Sequence, residues 1–461
     1  MRATVRLVPA LVLLAPGQAQ VPSAKPVAED PFLAALLQET LQNHPDFQRA
    51  EHAVFLEQER VPQAGVLPDP SLSLGLQNDG FKGIQVGKME TSFYSIAFTQ
   101  PFPWPGKRDL RKQVAALGVE LSVAAKNRVQ LGLEADVRRG YAALLLIRDQ
   151  KVLQQQQDLF LEQSEQLART RYEVGQGSQV DLLRAQLERT RLRQAVLSLA
   201  AEEKVAVGVL NRLRGHHLED PIETTASLRD QPDPELLTLE AVEARSPELA
   251  AAWTGLKQAE RQMDLAKLDR RPDFAVTAGL MPRGGLDPMW QVGVSISLPI
   301  YGRSKQQRAV AEHDHHRLGQ KAEVDSVHTL LWQRTEERTF QIHSLRGIRD
   351  LYQQGLLVQS EASFQAALAQ YGAGRGSFLG SLEALNGWVN DQGGYLQTLA
   401  QLQAQHIALR EAALGPTVPV AGGSLGSASI ATGGAKAPSA SKASAKSPGQ
   451  AQDSGPAMRS M

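Results

Sequence analysis

Residues 107–173 read KRDLRKQVAALGVELSVAAKNRVQLGLEADVRRGYAALLLIRDQKVLQQQQDLFLEQSEQLARTRYE, and no proline interrupts them. Apolar side chains recur along this stretch at alternating intervals of three and four residues, which is the pattern of a coiled-coil seam. The seam positions are Val114, Leu117, Leu121, Ala124, Leu131, Ala135, Ala142, Leu145, Val152 and Leu159, interrupted only by Arg128, Arg138, Asp149 and Gln156. A helix of about 67 residues is about 100 Å long, too long for a compact globule.

The two halves of the chain repeat each other. Four landmarks of the first half recur in the second half in the same order, 198 to 202 positions further on. The pairs are Pro45 with Pro247, Pro70 with Pro272, Pro101 with Pro299, and Gly175 and Gly177 with Gly374 and Gly376. A period near 200 residues indicates a duplicated domain rather than a solenoid of short repeats.

Each repeat follows one plan: a helix, two short strands, a very long helix, a glycine-containing turn and a returning helix. The first repeat covers 31–215, with strands within 71–100 and the turn at 174–181. The second covers 234–414, with strands within 273–300 and the turn at 372–380. Their first helices are predicted over Pro31–Gly65 and Pro234–Arg270, and residues 216–233 link the two repeats.

The strand segments alternate apolar side chains with small or polar ones. Leu72, Leu74 and Leu76 alternate with serine and glycine in the first repeat, and Val292 and Val294 do so in the second. Such strands fit a transmembrane barrel, although soluble hairpins would show the same pattern. Because about eight strands are needed to close a barrel, four strands predict an oligomer, with a strand total that is a multiple of four.

The two ends of the chain differ from the repeats. Residues 1–19 have the charge, the short apolar stretch and the small-residue cleavage site of a secretory signal peptide, and 20–30 form a linker. Residues 415–461 are rich in Gly, Ala, Ser, Pro and Lys and are predicted to be disordered. No segment approaches 18 consecutive apolar residues, so a membrane-bound form would have to cross as β-strands.

Composition excludes several functions. The chain has no cysteine, so it has neither disulfides nor a lipid on an N-terminal cysteine. Lys and Arg together number 49, as do Asp and Glu, and this balance gives no basis for binding nucleic acid. No Ser-His-Asp arrangement, phosphate-binding glycine loop or HExxH motif is present, so we expect neither an enzyme nor a cofactor.

Two motifs, and their order in both repeats, resemble the TolC-type outer membrane factor family over roughly Pro31–Leu414. They are FTQPFPWPGKR, at the change from strand to helix, and RYEVGQGSQVDLLRAQ, at the change from helix to helix. The PFPWPGKR form is most similar to the heavy-metal branch of CusC and CzcC. The fold class is thus predicted as mainly α with a small β-barrel part, built from duplicated helical hairpins and four strands per subunit.

The resemblance implies an architecture and partners. Three subunits would form a 12-stranded barrel in the outer membrane of a Gram-negative bacterium, above a periplasmic tunnel of 12 helices. A periplasmic adaptor and an inner membrane pump of the resistance–nodulation–division type would deliver the substrate. Metal ions, drugs and, as in type I secretion, proteins all remain open as substrates. A periplasmic adaptor or a coiled-coil scaffold without a pore is the alternative of another class.

The strand-to-helix corner has a structural interpretation. Prolines fix φ and end the sheet ladder, while glycine relieves crowding where the chain turns. The residues concerned are Pro101, Pro103, Pro105 and Gly106 in the first repeat and Pro299 and Gly302 in the second. Lys107 and Arg108 begin the helix, where the dipole disfavours cations, and are predicted to meet lipid headgroups.

The helix-to-helix turns are predicted to form the periplasmic tip. Capping of a plain helical hairpin would explain their glycines and serines. The resemblance adds contact with the adaptor for Gly175, Gly177, Ser178, Asp181, Leu183, Gly374, Gly376, Ser377 and Leu382. It also suggests a pore gate in which Glu383 forms a ring that favours cations, although an outward, solvated position of Glu383 fits equally well. Arg375, at the same turn, could pair with an acid and hold the tip closed.

Two groups of residues could suggest metal binding. His313, Asp314, His315 and His316 lie near the start of a long helix, where a solvated surface explains such a cluster more simply. Met263, Met281 and Met289 are too scattered in the sequence to suggest a copper relay.

Overall fold

The computed structural model describes residues 30–231, 233, 234 and 236–420. The predicted signal peptide and most of the linker after it therefore lie outside the described residues. The helices are α1 (Pro31–Asn43), α2 (Pro45–Gly65), α3 (Lys107–Glu173), α4 (Gln179–Arg214), α5 (Leu239–Arg245), α6 (Pro247–Leu268), α7 (Gln307–Leu351), α8 (Leu357–Gly372) and α9 (Phe378–Arg410). The strands are β1 (Ser71–Gln77), β2 (Phe93–Phe102), β3 (Asp273–Arg283) and β4 (Leu286–Ser297). The predicted fold class, mainly helical with a small sheet, is confirmed.

The helix that opens each repeat differs from the sequence-based expectation, because it is divided in two. His44 separates α1 from α2, and Ser246 separates α5 from α6; both have extended backbone conformations. Each precedes a proline, which disfavours helical geometry in the residue before it. The His44 Nδ1 atom accepts a hydrogen bond from the Asp46 N–H at 3.2 Å, and the Ser246 hydroxyl accepts one from Leu249 at 3.3 Å. The second helix of each pair therefore begins with its own cap.

The long helices occupy the regions that the proline-free stretches indicate. Helix α3 is continuous over 67 residues. Its counterpart in the second repeat begins with a π-helical turn at Gly302–Gln306 and contains another at Tyr352–Leu356, between α7 and α8. A Cβ added to Gly394 of α9 would overlap the Tyr352 hydroxyl. The second turn thus packs tightly against the returning helix.

The helices form two rows of four. In the half nearest the sheet, α2 packs on α3, α3 on α6, and α6 on α7. In the half nearest the tip turns, α4 packs on α3, α3 on α9, and α9 on α8. Buried clusters of leucine, valine and aromatic residues lie between the neighbouring helices of each row. Of the helices described, none combines the length and the apolar character that crossing a membrane requires.

The buried face of α3 shifts along the helix. The predicted seam holds at Ala124, Ala135 and Leu145, but Val152 and Leu159 are 52% and 60% exposed. Beyond residue 150 the buried positions lie one or two residues away from that seam, as Leu153 and Leu161 do. An α-helix has 3.6 residues per turn, so a strict heptad drifts around its surface. The extension of the seam to Val152 and Leu159 is therefore wrong.

The four strands form one antiparallel sheet in the order β1-β2-β3-β4. Its register places apolar residues opposite one another on a single face, through the pairs Leu74–Ile96, Leu72–Phe98, Val276–Val294 and Leu280–Trp290. Small and polar residues share the other face, where the Thr99 and Thr277 hydroxyls are 2.9 Å apart. The strands β3 and β4 extend further than predicted, because only Gly284 and Gly285 separate them.

The segment that follows α9 is placed against the helices, which differs from the predicted disorder from residue 415 onward. Arg338 of α7 donates to the Gly415 carbonyl at 2.8 Å, and the Thr417 hydroxyl bonds Gln405 at 2.9 Å. Val418 and Pro419 line a groove of about 620 Å³ between α3 and α4. The expectation is thus wrong for 415–420, and residues 421–461 lie outside the described part of the chain.

Candidate functional site

The strand-to-helix corner joins the two repeats. Strand β2 continues two residues beyond the predicted end, so that Pro101 still pairs with Ala275. Gly106 has a φ of 90° and begins α3, a conformation that side chains other than glycine rarely adopt. The Trp104 N–H donates to Asp273 Oδ1 of the second repeat at 2.7 Å. The other corner is simpler, with Pro299 after β4 and Gly302 opening the π-helical turn.

Lys107 lies inside this corner, so the prediction that it meets lipid headgroups is wrong. Its side chain is 3% exposed, and its Nζ atom is 2.9 Å from Asp273 Oδ1 and 3.2 Å from Asp269 Oδ1. It also donates to the Arg271 carbonyl at 3.3 Å. A buried ammonium needs such partners, and both carboxylates come from the other repeat. Lys107 therefore fastens the start of α3 to the segment between α6 and β3.

The Lys107→Ala substitution should lower the unfolding free energy by about 2 kcal/mol, since it leaves two carboxylates without their cation in a partly exposed site. Thermal unfolding of the purified protein in detergent measures the change. Lys112→Ala is the matched control, because Lys112 lies on the same helix and is exposed. Equal melting temperatures for the two variants would contradict the role given to Lys107.

The two tip turns have the same backbone geometry. Gly175 and Gly374 have φ values of 76° and 77°. In the first turn Gln176 N donates to the Arg171 carbonyl at 2.8 Å, and in the second Arg375 N donates to the Gln370 carbonyl at 2.9 Å. These bonds close the left-handed helix end that glycine favours. The Ser178 and Ser377 hydroxyls each accept a backbone N–H at 3.1 Å and so cap the returning helices.

The second glycine of each turn lies close to the backbone. A Cβ on Gly177 would be 2.8 Å from Tyr172 N, and one on Gly376 would be 3.2 Å from Tyr371 N. We therefore expect Gly177→Ala to cost about 2 kcal/mol of stability and Gly376→Ala clearly less, since the added Cβ would overlap the backbone more at Gly177. Melting temperatures of the two variants compare the turns. A larger loss for Gly376→Ala would contradict the expected order.

The two hairpin tips are joined by one arginine. Arg171, at the end of α3, donates through Nη1 to the Tyr371 carbonyl of α8, and its guanidinium lies 4.9 Å from the centre of the Tyr371 ring. Its Nη2 atom also donates to the Gln176 carbonyl at 3.3 Å. Tyr371 is buried; that burial and the charge of Asp181 raise its pKa, while Arg171 lowers it. One cation thus links both turns.

The Arg171→Ala substitution should loosen the two tips from each other. A hydrogen bond from a charged donor and a cation–π contact together contribute about 2 kcal/mol, which corresponds to roughly a thirty-fold change in an equilibrium. We expect faster hydrogen–deuterium exchange of the backbone amides in both turns. Arg169→Ala is the control, since Arg169 lies on the same helix, is 57% exposed and pairs with Glu165 of that helix. Equal exchange rates in the two variants would rule out the link.

The other predicted tip residues are placed as follows. Gly175, Ser178, Leu183, Gly374 and Ser377 are exposed, and Asp181, Gly177 and Gly376 are partly so. Leu382 differs from them, because it is 5% exposed and packs in the core between the hairpins. Arg375 and Glu383 are exposed, and neither forms an ion pair with another described residue. Their roles at a gate or an adaptor contact stay predictions.

An aromatic cluster above the tip was not predicted. Phe160 of α3 lies edge-on to Phe364 of α8, with ring centres 4.9 Å apart, and to Trp388 of α9 at 5.6 Å. These residues come from both repeats, so no local sequence pattern identifies their contact. The cluster fixes the two hairpins to each other just above the turns.

The histidines near the start of α7 do not form a metal site with their neighbours. Asp314 pairs with Arg317 at 2.9 Å, and His315 and His316 are exposed. Within the part of the chain that the structure describes, no group of three His, Asp or Glu residues is arranged to hold a metal ion.

Two solved structures share this fold. The outer membrane protein VceC from Vibrio cholerae superposes with a TM-score of 0.70 at 16% identity, covering 83% of this chain and 96% of that one. CusC superposes with a TM-score of 0.69 at 17% identity, covering 83% and 91%. At these identities the likeness concerns the fold alone.

Sequence comparison identifies the family. The nickel and cobalt resistance protein CnrC of Cupriavidus metallidurans is 26% identical over 288 residues, which are 60% of this chain and 66% of CnrC, just under two thirds of its length. The profile of the outer membrane efflux protein family matches residues 36–216 and 238–415, and so covers both repeats. The chain therefore belongs to the outer membrane efflux protein family.

Proposed function

We propose that three copies of this chain form the outer membrane channel of a tripartite efflux system that exports heavy-metal ions. The observation that carries the proposal is the set of unpaired edges within one subunit. Strands β1 and β4 each have a neighbour on one side only. Three subunits joined edge to edge give twelve strands, enough to close a barrel, and leave no edge exposed.

The helices support the same assembly. The rows end at α2 and α7 near the sheet and at α4 and α8 near the tip, and large apolar side chains on these four helices are exposed. They include Phe55, Leu56, Leu183, Leu187, Leu197, Val205, Trp332, Phe340, Leu351 and Val358. An exposed apolar area on several edges marks an interface. Closing the rows into a ring of twelve helices would bury these residues between subunits.

The two faces of the sheet favour a passive pore. The apolar face fits lipid, and the face with Ser73, Ala97, Thr277 and Gly293 fits a water-filled lumen. Along the described strands, charged residues occur on this second face only near its two ends. A wall without charge offers neither a chemical step nor a strong binding site over most of the barrel. Energy for export would therefore come from the partner pump.

Heavy-metal ions are the substrate class that the family relationship favours. The relative from Cupriavidus metallidurans is named for nickel and cobalt resistance, and the fold is shared with CusC. The exposed tip turns, with Gly175, Ser178, Leu183 and Ser377 at the surface, would meet the periplasmic adaptor. Drugs and secreted proteins are the alternative substrate classes, and the test has to distinguish them from metal ions.

The experiment has two arms. Purified protein should migrate as a trimer in detergent until it is heated, and it should form pores in planar bilayers. A strain that lacks the gene should lose resistance to nickel or cobalt by several-fold, while its sensitivity to drugs and its protein secretion stay unchanged. A monomer without pore activity would overturn the channel, and a purely drug-sensitive strain would overturn the substrate class.

A further inference from the structure

Two methionines face each other across the β3–β4 hairpin, at the end of the sheet away from the helices. Met281 of β3 pairs directly with Met289 of β4. Residues opposed in this way have Cβ atoms about 5 Å apart, so their flexible side chains can bring both sulfurs to one ion. The methionines looked too scattered in the sequence to suggest a copper relay, but the strand register brings two of them side by side.

The pair lies on the face of small and polar residues. Leu280 and Trp290, the adjacent residues, belong to the opposite apolar face and are exposed. Met281 and Met289 are partly exposed and follow Gly279 and Gln291 along the wall. A core position would explain two methionines by packing, but neither of these two is buried. In the proposed barrel their face lines the lumen, so an ion would reach the pair from there.

A third methionine lies at the same rim. The Arg283 Nη1 atom donates to the Glu90 carbonyl at 3.3 Å, which holds the turn at 87–90 against the β3–β4 hairpin. The contact is close, because a Cβ on Gly284 would be 2.9 Å from Gly87 Cα. Met89 belongs to this turn and is exposed. Three thioethers thus come from three different segments to one end of the sheet.

We propose that Met281 and Met289, with Met89 as a third ligand, bind a soft monovalent cation, Cu(I) or Ag(I), at the outer end of the pore. Thioethers are neutral, soft ligands that prefer such ions, whereas Ni(II) and Co(II) suit imidazole and harder donors. The inference rests on the proposed function in one respect: it takes the small-residue face as the lumen wall. It adds soft monovalent metal ions to the substrate class of heavy-metal ions.

Such a site suits the end of a conduit. Conduction requires that an ion bind well enough to enter a site and weakly enough to leave it. Two or three uncharged sulfurs bind less tightly than thiolates do. A trimer would carry three such sites around the mouth, one per subunit.

Silver binding to the purified full-length protein tests the site. Calorimetric titration with silver nitrate in detergent and chloride-free buffer should show saturable binding of one ion per subunit. The double variant Met281→Leu/Met289→Leu should bind roughly tenfold or more weakly, since leucine keeps the volume and removes the sulfur. Met263→Leu, in α6, is the matched control and should bind as the native protein does.

Unchanged affinity in the double variant would overturn the site, and so would an equal loss in Met263→Leu or equally strong binding of nickel ions. Pore formation in bilayers without silver separates this result from the proposed function. Native pores with silver binding lost only in the double variant support both proposals. Native pores with no silver binding overturn the site alone, and an absence of pores overturns the proposed function.

Discussion

The Val294→Arg substitution is expected to abolish assembly in the membrane, whereas Ser295→Arg, at the next residue, should leave it intact. Val294 is 66% exposed and pairs with Val276 on the apolar face. Ser295 lies on the opposite face, opposite Ala275. An arginine on the lipid side of a barrel costs about 3 kcal/mol near the middle of the bilayer. Three subunits would multiply that cost.

The two variants differ by one position and carry the same charge. Heat-modifiable trimer in outer membrane extracts measures the assembly. For Ser295→Arg we expect normal trimer and a pore with lower conductance for cations, since three arginines would line the lumen. A similar loss of trimer in both variants would show that lipid does not contact one face of the sheet alone. That result would contradict the barrel.

Local patterns in the sequence account for much of the fold. Periodicity and the absence of proline predict α3, and strict alternation predicts which strand residues share a face. Pro45 and Pro247 also carried a signal that the prediction did not use, because a residue before proline disfavours helix and both helices divide there. The short turn at Gly284 could likewise have been predicted from its two consecutive glycines.

Contacts between the repeats could not be predicted in this way. Arg171 meets Tyr371 across 200 positions, and Lys107 meets Asp273 across 166. Both contacts depend on which helices pack against each other, and no local sequence pattern specifies this packing. Met281 and Met289 illustrate the same limit at short range, since their pairing depends on the strand register rather than on their spacing.

A cluster of charged residues between the linker and the second repeat predicts acid sensitivity. Asp233, in the predicted linker, accepts hydrogen bonds from Arg346 and Arg349 of α7, each at 2.9 Å. His406 Nε2 of α9 lies 3.1 Å from the same carboxylate. His406 is 4% exposed, and its burial, with Arg346 and Arg410 nearby, lowers its pKa to about 4 although Asp233 favours the proton. The histidine is therefore buried in its neutral form.

We expect the native protein to lose stability as the pH falls from 6.5 to 4. In this window the unfolded chain takes up a proton at His406 and the folded chain does not, so acid favours unfolding. A shift from 6.5 to about 4 corresponds to about 3 kcal/mol per subunit, and above pH 6.5 the residue contributes no pH dependence. Asp233 beside it has a lowered pKa and Arg349 a raised one, so neither of these two groups titrates in that window.

His406→Gln separates this effect from general acid unfolding. Glutamine can still donate a hydrogen bond to Asp233 but takes up no proton. The melting temperature of the variant should therefore fall much less between pH 6.5 and 4 than that of the native protein. His328→Gln is the control, because His328 pairs with Glu243 at an exposed position. Asp233 has a lowered pKa, so its own contribution is lost only at more acid pH. Parallel melting curves for native protein and His406→Gln across the window would show that the buried histidine does not set the acid response.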